Sequence, residues 1–235
     1  MKTLIIVNWK MNLTLDEALS RCEIIASRNY QLPIVIAPPT PYIAYLARAY
    51  KNLDFCTQDI SIFHENGLYT GEYSAEMIKN CGIKYSIVGH SERRNYFRET
   101  NKTVKEKATN CVKAGVIPII CIGEDMETRQ NNNYLEFLLE QINHSTPEHE
   151  GEIILAYEPL WAIGSGITPS NEEIAEIFVF IKNNKNITTV AKNSLLVYGG
   201  SVTLENYKEI LSVKNSNGVL VGSAALDIDF FKLLN

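Results

Sequence analysis

Several things are missing from this sequence, and each absence removes a class of function. No stretch approaches the ~18 consecutive apolar residues that a membrane-spanning helix requires. None of the five cysteines (Cys22, Cys56, Cys81, Cys111, Cys121) forms a C-x-x-C pair. Their odd number and scatter suit reduced thiols in a reducing, cytoplasmic setting. Basic residues are outnumbered, 22 against 27 acidic, giving a net charge of −5 with no dense basic run. General nucleic-acid binding is therefore not expected, and an anionic ligand would have to be drawn by local groups. The phosphate-loop pattern G-x-x-x-x-G-K-[ST] does not occur, and "GSG" at 164–166 lacks the remaining glycine of a dinucleotide fingerprint. No His, Cys, Asp and Glu grouping has metal-ligand spacing; His144 and His149 fall in the polar stretch "NHSTPEHEG" and read as loop residues. Neither a metal nor a cofactor is expected. The opening "MKTLIIVNWKMN" shares only a lysine and four apolar residues with a secretion signal, and no small-residue cleavage site follows.

What is present is a regular alternation. Eight short apolar runs ("TLIIVN", "PIVIA", "LDFCTQ", "KYSIVG", "VIPIICI", "EIILAY", "LLVYGG", "GVLVG") recur about 20 to 40 residues apart. They are continuous instead of alternating with polar residues, as strands buried on both faces should be. Helical patterns lie between them. Thr14-x-x-Glu17 and Ser170-x-x-Glu173 are capping boxes, and Leu15, Leu19, Cys22 and Ala26 are expected to share the buried face of the first helix. Gly115 sits at the C-cap of "ETNKTVKEKATNCVKAG". The expectation is an α/β chain with residues 1–235 forming one single-domain (β/α)8 barrel. A doubly wound open sheet is the other solution, because alternation alone does not show closure.

In a barrel, chemistry belongs where strands run into βα-loops. Those junctions read "NWK", "PPT", "TQD", "GHSERR", "CIGE", "YEP", "YGGS" and "VGS". Lys10 leaves the first strand and is either a solvated charge or a fixed cation for an anionic substrate. His90 follows the fourth strand at a polar helix start, whose N–H groups disfavour the imidazolium and leave a neutral hydrogen-bond donor. The same letters allow a nucleophile elbow at Ser91, though Arg93 stands where its last glycine belongs. Glu158 is the one charge in "AYEPLWAIGSG". It is either a rim partner for a cation or a base strengthened when Leu160, Trp161 and Ile163 exclude water. Gly199, Gly200, Ser201, Gly222 and Ser223 form two turns whose backbone N–H groups can cradle a phosphate.

The set "NWKMN", "TGE", "GHSERR", "CIGE", "AYEPLWAIGSG", "YGGSV" and "GVLVGSA" resembles the triosephosphate isomerase family over essentially the whole chain. The fold that resemblance implies is the TIM barrel. It implies Glu158 as base, His90 as neutral electrophile, Lys10 as cation and Asn8 as positioning partner, acting on phosphorylated three-carbon sugars. The resemblance also implies acid–base tuning of the site and closure of a lid over it. By the same resemblance Gly164, Ser201, Gly222 and Ser223 bind phosphate, while Glu92, Ser91 and Cys121 support the site. Thr70 in "NGLYTGEY" would reach a second subunit of a homodimer. Two departures stand out: Gly166 runs directly into Ile167-Thr168-Pro169, and Ser223 replaces a second glycine. The altered lid end leaves a phosphate-binding barrel without turnover as the alternative function.

Overall fold

Each apolar run becomes one strand: β1 Leu4–Asn8, β2 Ile34–Ala37, β3 Asp54–Thr57, β4 Tyr85–Val88, β5 Ile117–Ile122, β6 Ile154–Tyr157, β7 Leu195–Tyr198 and β8 Gly218–Val221. The computed structural model describes residues 3–148, 151–163 and 167–234. All neighbouring strands pair in parallel and in chain order, and β8 returns to β1 through Leu4↔Gly218 to Val7↔Val221. The sheet is a closed barrel with helices between its strands, and the open-sheet alternative is excluded.

Successive side chains along a strand point to opposite faces. One set (Leu4, Ile6, Val35, Ala37, Cys56, Tyr85, Ile87, Ile119, Cys121, Ile154, Ala156, Val197, Leu220) forms its own cluster inside the barrel. The other set, including Ile5, Val7, Ile36, Val88, Ile120, Leu155, Leu196 and Val219, packs outward against the helices. Both faces are apolar, which is why the runs were continuous.

Both predicted capping boxes form, at Thr14 with Glu17 and at Ser170 with Glu173. Gly115 caps helix Asn101–Ala114 at φ 70°. The first helix, Leu15–Ala26, buries Ala18, Cys22 and Ile25, not the whole of the expected row; Leu15 is exposed, and Leu19 and Ala26 are half-buried. Cys22 of the expected row is buried and Leu19 packs against the core, with Ala18 and Ile25 completing the inward face. His144 also departs from expectation. It lies in the last turn of helix Tyr134–Ser145, where the buried row of Leu138 and Ile142 carries the helix on through polar residues. His149 lies outside the described residues. No helix among the described residues is long and apolar enough to cross a membrane.

A cluster of four charges fastens the helix after β4 to the loop after β3. The Lys107 ammonium lies 2.6 Å from Glu99 and 2.7 Å from Asp59, while Arg93 lies 2.5 Å from Glu99 and 2.9 Å from Asp59. Lys107 and Glu99 are both buried. Burial pushes the Asp59 carboxyl up to about 6 against the pull of Lys107. Burial also opposes ionisation of Glu99, but hydrogen bonds from Lys107 and Arg93 outweigh it and hold that carboxyl below its usual range. The two cations thus serve Glu99 more closely. Replacing Lys107 by Met should destabilise the fold by ~3–5 kcal/mol, because it strands buried carboxylates. The check is a denaturant unfolding curve at fixed protein concentration, and a midpoint equal to that of the parent chain would contradict it.

Candidate active site

The inward rows of the barrel do not stop where the strands do. Leu4, Ile6 and Asn8 continue to Lys10; Ile154 and Ala156 continue to Glu158; Val197 continues to Gly199; Leu220 continues to Gly222. Asn8, Lys10, His90, Glu158, Ser201, Gly222 and Ser223 all line one cavity of about 500 Å3 at this end of the barrel. Gly164 lies outside the described residues.

His90 is the exception to the simple alternation. Tyr85 and Ile87 point inward, so an unbroken strand would turn residue 90 outward. Gly89 prevents this by taking a left-handed conformation, φ 66°, which bends the chain into helix Ser91–Phe97. A side chain at residue 89 would be strained there, and its Cβ would press to 2.6 Å from a Val104 methyl. His90 becomes the N-cap, and its Nδ1 accepts the backbone N–H of Glu92 at 3.2 Å. An Nδ1 that accepts carries no proton, so the neutral ring places its N–H on Nε2. Nε2 lies 3.6 Å from Glu158 Oε1.

Glu158 is 2 % exposed, and its Oε2 is buried without a hydrogen-bond partner among the described residues. Two absences of side chain make room for it. A Cβ at Gly199 would stand 2.8 Å from Glu158 Cγ, and one at Gly123 would collide with the Glu158 carbonyl oxygen. The Cys121 thiol lies behind the carboxylate; burial first, and then the charge of Glu158, hold it far above its ordinary pKa. Ser91 is buried and shares a second, smaller pocket with Glu158, Arg94, Cys121 and Gln141.

Lys10 has φ 51°, a strained value for a residue with a side chain. Its backbone is pinned on both sides: its N–H donates to Asn8 Oδ1 at 2.9 Å, and its carbonyl accepts from Gln58 Nε2 at 2.8 Å. The ammonium reaches Glu92 Oε1 at 2.7 Å, and the stem passes Gly222. Glu92 therefore touches both polar partners of the site, since its other oxygen is 3.6 Å from His90 Nδ1. Gly222 and Ser223 open a single 3-10 turn, Ser223–Leu226, whose first N–H groups have no partner within the turn. The Ser201 carbonyl is tied by Asn206 Nδ2 at 3.0 Å. Thr70 is exposed on the loop after β3 and does not line the cavity.

Three contributors escaped the sequence reading. Gln58, in the junction "TQD", holds Lys10 and the Ala37 carbonyl together. Glu124, in "CIGE", is fully buried and accepts from Tyr157 at 3.0 Å and Trp161 Nε1 at 3.1 Å, with Arg129 3.7 Å away. It is a carboxylate at a strand end, as Glu158 is, but Asp125 and Glu127 follow it closely and blur the signal. Arg94 follows from no local pattern. Among the described residues the elbow alternative at Ser91 finds no base, because both nitrogens of His90 face other groups and the exposed His144 Nδ1 meets the Glu140 carbonyl; His149 lies outside them. Among the described residues no group of three or more His, Cys, Asp or Glu side chains is placed to hold a metal ion.

Comparison with known proteins agrees with this geometry. The family model for triosephosphate isomerase matches residues 3–235. A triosephosphate isomerase of Thermodesulfovibrio yellowstonii is 41% identical over 244 residues, covering 99% of this chain and 98% of the relative. One from Orientia tsutsugamushi (strain Ikeda) is 38% identical over 237 residues (97% of this chain, 95% of the relative), and one from Mesomycoplasma hyorhinis is 37% identical over 243 residues (99% and 98%). Matches of that extent take in all eight strands and every junction that lines the cavity, and on that ground the chain belongs to the triosephosphate isomerase family.

Proposed function

We propose that this chain interconverts dihydroxyacetone phosphate and D-glyceraldehyde 3-phosphate by proton transfer through an enediolate. The observation that carries the proposal is a buried carboxylate 3.6 Å from His90 Nε2, in a cavity that also holds an ammonium group. Glu158 removes the carbon-bound proton and returns it at the neighbouring carbon. Its buried position keeps the carboxylate away from bulk water. His90 donates from Nε2 to the substrate oxygen where negative charge develops, and can do so because Nδ1 is already occupied by the Glu92 N–H. Lys10 offsets charge on substrate and intermediate, with Asn8 fixing its backbone. Backbone N–H groups at Ser201, Gly222 and Ser223 take the phosphate, with Gly164 completing the shell from the lid.

Leu160, Trp161 and Ile163 would fold over the bound sugar and keep water from the intermediate. Pro169, which is buried, replaces an N–H donor at the far end of that lid and limits how closure is stabilised there. The alternative of binding without turnover is separated by one measurement. An isomerase exchanges the substrate's carbon-bound hydrogen with solvent, whereas a phosphate-binding barrel does not.

The working form is proposed to be a cytoplasmic homodimer. Supporting this, the loop around Thr70 carries a fully exposed Leu68 and a Phe63–Tyr69 stack with ring centroids 3.6 Å apart, and Met11 is exposed nearby in sequence to Lys10. All five cysteines are free thiols, and burial pushes Cys22 and Cys111 up to about 12, which makes them unreactive.

Two outcomes are expected. Glu158→Asp withdraws the carboxylate by about one bond and should lower kcat ~10²-fold while leaving KM within a few-fold, as steady-state rates with glyceraldehyde 3-phosphate will show. Equal losses through KM alone would remove Glu158 from the role of base. Thr70→Arg should shift the chain from dimer to monomer in sedimentation and reduce kcat in parallel; a variant that stays dimeric with full activity would detach Thr70 from the interface.

A further inference from the structure

Arg94 is a guanidinium without a carboxylate. Among the described residues its hydrogen-bond partners are all neutral: Nε donates to the Gly89 carbonyl at 2.8 Å, one terminal nitrogen to Asn101 Oδ1 at 2.8 Å, and the other to the Cys121 carbonyl at 3.2 Å and Ser145 Oγ at 3.3 Å. Its neighbour Arg93, by contrast, meets two carboxylates. Burial pushes the Arg94 guanidinium below its ordinary value, with Cys121, Glu99 and Glu158 pulling the other way. It stays charged, since arginine does not deprotonate in proteins. A half-buried charge that forgoes an ion pair among the described residues is free for another task.

The partners say what that task is. Gly89 is the left-handed corner that turns His90 into the barrel, and Arg94 Nε grips the carbonyl of that corner. Cys121 is the β5 residue whose thiol lies behind the Glu158 carboxylate, and the same guanidinium grips its carbonyl. Gly89, Arg94, Cys121 and Glu158 line one small pocket on the side of Glu158 away from the substrate cavity. A planar fork is needed here, because only a rigid group with several donors spans two strand ends at once.

We infer that Arg94 is a positioning residue for the isomerisation, fixing the Gly89–His90 corner against β5 and keeping a positive charge behind Glu158. The inference rests on the isomerase reading above. Two effects follow and can be told apart. The fork sets the distance between imidazole and carboxylate; the charge favours the ionised base. Groups facing Glu158 are His90 from the β4 corner, the Cys121 thiol from β5, Lys10 from the β1 end, and Arg94. Removing the cation alone disfavours the carboxylate, so the base becomes protonated at a higher pH than in the parent chain.

The test compares the parent chain with Arg94→Lys and Arg94→Gln in kcat, KM and the pH profile of kcat/KM, using glyceraldehyde 3-phosphate. Arg94→Lys keeps the charge and loses the fork; it should lose ~10-fold in kcat with an unmoved pH profile. Arg94→Gln should lose ~10²-fold in kcat, keep KM within a few-fold, and move the acid side of the profile to higher pH. A merely structural arginine would lower thermal stability and leave the profile where it was. If Arg94→Gln does not fold, Arg94→Lys decides alone: kcat equal to the parent overturns the inference, and a kcat-specific loss supports it. An inactive parent chain would refute the isomerase reading instead, and leaves a different signature from an active parent with indifferent Arg94 variants.

Discussion

A strand can offer only every second side chain to the inside of a barrel, and the whole site is arranged around that restriction. Asn8 ends the inward row of β1, and Lys10, Glu158, Gly199 and Gly222 continue the inward rows of β1, β6, β7 and β8 past the strand ends. Apolar packing below therefore fixes polar geometry above. The barrel interior is filled with Ile, Leu, Val and Cys, and interiors of this density do not deform easily. A base on the end of β6 inherits that stiffness without any device of its own. Where the rule would send a residue the wrong way, at His90, a single glycine with positive φ corrects it.

The surrounding electrostatics show two solutions to buried charge. The cluster of Asp59, Arg93, Glu99 and Lys107 is balanced within itself and serves attachment of one layer to the next. Among the described residues, buried Glu158 and half-buried Arg94 are each left without a partner of opposite charge in hydrogen-bond contact. An unpaired buried ion is expensive, so chains keep it where it performs chemistry or supports the group that does.

Much of this was legible in the residues. Eight continuous apolar runs predicted eight strands buried on both sides, and both capping boxes formed as their spacing required. The polar junctions identified Lys10, His90 and Glu158 because a charge or imidazole at the end of an apolar strand has few structural uses. The misses share a physical origin. Arg94 and Gln58 act through backbone carbonyls 27 and 48 residues away, and such contacts leave no periodicity to detect. Helix Leu15–Ala26 keeps Cys22 and Leu19 of the expected row against the core, but Ala18 and Ile25 complete that face. His144 was lost to the polar letters around it, although Leu138 and Ile142 had set the helical phase.

The pairing of Lys10 with Glu92 has a consequence for traffic through the site. The ammonium already has an anion at its side, so if Lys10 meets the substrate as proposed, an arriving sugar phosphate would exchange one negative neighbour for another instead of meeting a bare cation. Its grip on substrate is then a difference between two similar attractions, and release of product is assisted by the carboxylate that waits to return. An enzyme facing a reversible step with substrate on both sides is better served by such a loose hold than by a tight one.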